Sequence, residues 1–98
     1  MYIIRFSRHA DRDKKLLKGA GLDIKAKQLL NIIAQNPFHT PPPYEGLVGN
    51  LSGYYSRRIN IQHRLVYQVY HKPVCIDDIE YEGTIKVVRM WSHYEDVR

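Results

Sequence analysis

An α+β fold, with two N-terminal helices packed on a mainly antiparallel twisted sheet, is what this sequence predicts, on three observations. Leu22, Ala26, Leu29, Leu30 and Ile33 recur at helical spacing. Residues 54–61 and 64–70 alternate side chains in the manner of paired strands. The order strand, helix, helix, then several strands gives hairpin connections rather than repeated crossovers. The chain has 98 residues, so folding buries roughly 60–70% of the unfolded surface and supports a single domain over residues 1–98.

Tyr2 to Phe6 is short and rich in β-branched and aromatic residues, which suits an opening strand. Residues 9–18 form a charged helix ending in Leu16 and Leu17, with Gly19 and Gly21 as its stop. The second helix begins near Asp23 and ends at Asn36-Pro37, because a residue before proline is pushed out of the helical region. Residues 38–49, with Pro41-Pro42-Pro43, read as a stiff loop. In the strand over 54–61, Ile59 and Ile61 share a face and Arg58 points to the other. Leu65, Tyr67 and Val69 share a face in the next strand, and Arg64 points away. If the apolar set packs beneath the helices, Arg58 and Arg64 both emerge on the open side of the sheet. A last strand covers residues 85–92, preceded by a Pro73 break and the acidic cluster Asp77, Asp78, Glu80 and Glu82, a solvated hairpin or loop.

Charge narrows the function. The net charge is +5 and the pI about 9.4, which favours polyanionic partners. Between residues 28 and 76 Glu45 is the only carboxylate, among Arg57, Arg58, Arg64, Lys72 and three histidines. Mean hydropathy is −0.46 and no apolar run approaches the ~20 residues of a membrane span. The opening residues lack the pattern of a secretion signal, so a cytoplasmic protein is expected. Cys75 is the single cysteine, which excludes an intrachain disulfide and zinc sites built on paired cysteines. The five histidines show no His-x-x-x-His pair, so no metal is expected. Residues 49–53 read G-x-x-S-G rather than G-x-S-x-G, and neither phosphate-loop nor dinucleotide fingerprint occurs, so no cofactor is expected.

A cationic sheet, many tyrosines, one isolated glutamate and a histidine near the terminus together suit RNA. The 2′-hydroxyl of RNA can attack its own phosphate, so the protein need supply only a base, an acid and an anion clamp, each positioned acid or base giving about 10²- to 10⁴-fold in rate. Arginines would stabilise the added charge of the transition state, and tyrosine rings offer surfaces for unpaired bases.

Residues 50–67, NLSGYYSRRINIQHRLVY, closely resemble the Txe/YoeB-type toxins of bacterial type II toxin-antitoxin systems, in the RelE/ParE superfamily. Tyr44-Glu45-Gly46-Leu47 resembles that family's Glu-Pro-Leu segment and Ser92-His93-Tyr94 its terminal His-Tyr. The resemblance implies a RelE-like fold and a ribosome-dependent mRNA endonuclease that cleaves in the A site and is silenced by a cognate antitoxin. By the same resemblance Glu45 is the general base, His93 the general acid, Arg64 the phosphate ligand assisted by Arg58, and Tyr94 an orienting group. Tyr54 and Tyr55 point to opposite faces, so only one can line the groove, and Tyr54 is assigned to substrate. His63 falls in the hairpin turn with a structural role, and Trp91 fills core or a protein interface. The implied partners are a cognate antitoxin, the ribosome and mRNA, and a homodimer is compatible with the family. Gly46 stands where the family commonly has proline, and the acidic insertion of residues 77–82 and residues 95–98 lengthen the chain. The competing function is a non-catalytic basic RNA- or protein-binding module, such as a ParE-like gyrase-directed toxin, whose relatives lack the Glu and His-Tyr set.

Overall fold

The computed structural model describes residues 1–92. Strand β1 (Tyr2–Phe6) leads into helices α1 (Arg8–Gly19) and α2 (Asp23–Gln35), followed by strands β2 (Glu45–Gly46), β3 (Tyr54–Arg58), β4 (Arg64–Tyr70), β5 (Val74–Ile76), β6 (Ile79–Tyr81) and β7 (Gly83–Ser92). Five strands form one sheet in the order β1-β7-β4-β3-β2; β1 runs parallel to β7 and the other pairs are antiparallel. The expected α+β architecture of two helices on a mostly antiparallel sheet is present.

Ser7 starts α1 by accepting a hydrogen bond from the Ala10 amide at 3.0 Å, while its hydroxyl donates to the Val88 carbonyl at 2.8 Å. One side chain therefore caps the helix and ties it to β7. Asp13, buried on α1, accepts from Arg89 Nε at 3.0 Å and the Met90 amide at 2.8 Å, so its charge is neutralised and hydrogen-bonded where it is buried. The stop of α1 is made by Gly21 rather than Gly19. Gly21 lies at φ +73°, and the Leu22 and Gly21 amides reach back to the Leu17 and Lys18 carbonyls.

Ala26, Leu29 and Ile33 bury one stripe of α2. They meet Leu65 and Tyr67 of β4 and Ile85 and Val87 of β7 in the core. The alternation expected of β4 is thus present. Strand β3 is shorter than expected: the Asn60 Oδ1 accepts from the Gln62 and His63 amides, closing the turn and ending the strand at Arg58. Ile59 is buried, but Ile61 is 88% exposed and does not share its face. Asp77, Asp78 and Glu80 of the acidic cluster fall on the β5–β6 hairpin, and Glu82, just past β6, pairs with the Met1 amino group at 2.7 Å. Asp77 and Asp78 make its two-residue turn with φ +50° and +64°, as a turn with both central residues left-handed requires.

Gly83, at the head of β7, leaves no room for a side chain: an added Cβ would lie 2.0 Å from the Tyr70 carbonyl oxygen on neighbouring β4. Gly83→Ala must push β4 and β7 apart. We expect a loss of about 2–4 kcal/mol, read as a lowered urea midpoint with unchanged slope.

Candidate active site

The segment after α2 is fixed by a buried cation. Arg57, 1% exposed on β3, donates to the Pro42 carbonyl at 2.6 Å, the Pro37 carbonyl at 3.0 Å and the His39 carbonyl at 2.8 Å, and from Nε to the Tyr67 hydroxyl at 3.2 Å. Tyr67 in turn donates to the Pro37 carbonyl at 2.7 Å. Phe38 and Tyr44 pack on Tyr55, with ring centroids 5.0 and 6.0 Å away. The loop carrying the three prolines is therefore stapled to β3 and β4 at both ends. It delivers Glu45 onto a two-residue edge strand, not a loop as the sequence suggested: Glu45 lies opposite Ser56, and the Leu47 amide donates to the Tyr54 carbonyl.

Burial pushes the phenol of Tyr67 above the ordinary value of about 10, against the lowering pull of Arg57. The folded state holds this proton longer than the unfolded chain does. Its contribution is therefore complete below about pH 10 and is lost as pH rises through and beyond it. Tyr67→Phe should flatten the alkaline fall in stability, measured by urea unfolding at successive pH values.

Glu45, Arg58 and Arg64 come together in a groove of about 640 Å³. Arg58 lies directly across from Arg64 on β3 and β4, and like charges in that position repel unless an anion lies between them. The Glu45 carboxylate, 54% exposed, lies 4.0 Å from Arg64 Nη1, whose side chain is 19% exposed. Among the described residues that line the groove, Glu45 is the one carboxylate beside Arg58, Arg64 and Lys25, a lining whose charge suits a phosphodiester. The two arginines do not stand on a bare sheet face: Lys25, Gln28, Leu29 and Ile32 of α2 and Pro42 and Pro43 wall the same groove.

Tyr54 shares the strand face of Ser56 and Arg58 but is not among the residues lining the groove. Tyr55 packs against the core. His63 is buried in the turn, stacked on Trp91 at 3.9 Å between centroids, and Trp91 packs against the core. His93 and Tyr94 lie outside the described residues; β7 ends at Ser92, the cross-strand partner of Arg64. Among the described residues no three His, Cys, Asp or Glu side chains group as metal ligands. Sequence reasoning missed Arg57, Ser56 and the α2 wall. Strand alternation held a clue to the first: two adjacent arginines on one strand must point to opposite faces.

Comparison with known proteins supplies the context. A family model described as a YoeB-like toxin of bacterial type II toxin-antitoxin system matches residues 5–94. The chain is 50% identical over 64 residues to Toxin YoeB of Synechocystis, covering 65% of this chain and 67% of that one. For further curated relatives described as Toxin YoeB the shared stretch is 63% of their length. Among solved structures, the YoeB/ParE toxin from Agrobacterium tumefaciens has a TM-score of 0.78 at 24% identity, covering 94% of this chain and 99% of that one. The YoeB-YefM toxin-antitoxin heterotetramer from Staphylococcus aureus has a TM-score of 0.69 at 34% identity, covering 96% and 99%.

Proposed function

The chain belongs to the YoeB-like toxins of bacterial type II toxin-antitoxin systems, and from that premise we propose that it is a ribosome-dependent mRNA endonuclease acting in the cytoplasm without a metal. The observation that carries this reading is the facing of Glu45 and the Arg58–Arg64 pair across one groove. Glu45 takes the proton of the RNA 2′-hydroxyl, whose oxygen attacks the adjacent phosphorus. Arg64, with Arg58, holds the phosphate through forked hydrogen bonds and offsets the charge that builds on it. His93 protonates the departing 5′ oxygen and Tyr94 orients the phosphate; Tyr54 supports an unpaired base. The products are a 2′,3′-cyclic phosphate and a 5′-hydroxyl.

The solved YoeB-YefM heterotetramer supports a cognate antitoxin as the protein partner, and a solved YoeB dimer from Staphylococcus aureus supports self-association. The test is the mapping of mRNA ends in a translating extract. Breaks inside translated reading frames, with 5′-hydroxyl ends, are expected, and transcripts blocked at initiation should stay whole. Ends bearing 5′-phosphate, or intact transcripts with arrested DNA replication, would contradict the proposal.

A further inference from the structure

In the lining of the groove lies a buried polar atom that no described residue satisfies. The Ser56 hydroxyl is shielded from solvent and has no hydrogen-bond partner among the described residues. Such a buried hydroxyl costs about 1–3 kcal/mol, and Ser56 as a whole is 1% exposed. Its place is specific. Ser56 lines the same groove as Arg58 and Arg64 and is the direct cross-strand partner of Glu45. Side chains in that relation start from Cβ atoms about 4.5–5.5 Å apart, within reach of a serine hydroxyl and a glutamate carboxylate. Its other cross-strand partner, Val66, is apolar.

We propose that Ser56 is a positioning residue for Glu45: its hydroxyl donates to the Glu45 carboxylate when the RNA phosphate occupies Arg64. In the resting groove the Arg64 guanidinium, 4.0 Å away, orients that carboxylate. A phosphodiester on Arg64 competes for the same donors and would release Glu45, a long side chain on an edge strand, to many rotamers. A hydroxyl opposite keeps one oxygen fixed and leaves the other to take the 2′ proton. Reactivity falls steeply when a reacting group is misplaced by even 1 Å.

The inference rests on Glu45 being the general base, and the experiment separates the two. Cleavage by wild type, Ser56→Ala, Glu45→Gln and the double variant is followed on programmed ribosomes. Ser56→Ala should lower kcat by ~10- to 100-fold with KM within about twofold, while the urea midpoint stays the same or rises, since no hydrogen bond is lost. On the Glu45→Gln background the same change should have no further effect, because the group it positions is gone. Equal losses on both backgrounds, or an unchanged kcat in the single variant, would overturn the role of Ser56 alone. A fully active Glu45→Gln would overturn the base assignment and the inference with it.

Discussion

Glu45→Gln is expected to leave the fold intact and to slow mRNA cleavage by ~10²- to 10⁴-fold. Glutamine has the shape of glutamate but cannot accept the 2′ proton. Stability should change little, because Glu45 is half-exposed on an edge strand and its ion pair with Arg64 is long, at 4.0 Å; such exposed pairs contribute about 0–1 kcal/mol. The expected signature is an unchanged urea midpoint beside a collapsed single-turnover rate on programmed ribosomes. His93→Gln should show a loss of the same order, since an acid and a base acting in one step are each needed. Rates near wild type in both variants would refute the acid–base assignment.

Arg57→Met has the largest expected effect on stability, a loss of about 3–5 kcal/mol. Methionine keeps much of the apolar stem but removes every donor. The Pro42 and His39 carbonyls then lose their guanidinium partner, and the Tyr67 hydroxyl loses one of its two contacts. Lysine is no substitute, since a compact ammonium cannot reach acceptors spread around a planar fork. Domains of this size hold only about 5–15 kcal/mol in all, so the variant sits near the edge of folding. Its damage also reaches the chemistry, because the clamped segment from Pro37 to Pro42 aims Glu45. Urea unfolding measures the first effect, and cleavage well below the melting temperature the second. An unchanged midpoint would show that the loop is held by the Phe38, Tyr44 and Tyr55 rings alone.

Much of this architecture could be read from the chain because its signals are local. The β1 strand, the α2 stripe ending at Asn36-Pro37 and the Leu65-Tyr67-Val69 face each depend on neighbours in sequence. The failures are equally local in cause. Ile61 was assigned to a strand because it alternates with Ile59, and the short-range hydrogen bonds of the Asn60 side chain cut that strand at Arg58. Glu45 looked like a loop residue because two residues of β2 are too few to show a period.

Residue type and motif pointed to Glu45, Arg58 and Arg64, and these three line one groove. The site was illegible where the partner lies far along the chain. Nothing in local sequence marks Arg57 as the ligand of carbonyls 15–20 residues earlier, or brings Lys25 and Gln28 of α2 to the groove wall. Such long-range placements follow from the packing of the whole domain rather than from propensity.

Under the proposed mechanism RNA cuts itself, its 2′-hydroxyl acting as nucleophile under a carboxylate and two guanidiniums. The most direct measurement uses a message carrying a single 2′-deoxy nucleotide immediately 5′ of the mapped break, translated beside its all-ribose twin. Loss of cleavage at that position alone, with ribosome binding retained, is the predicted result; a break of equal rate at the deoxy position would contradict it.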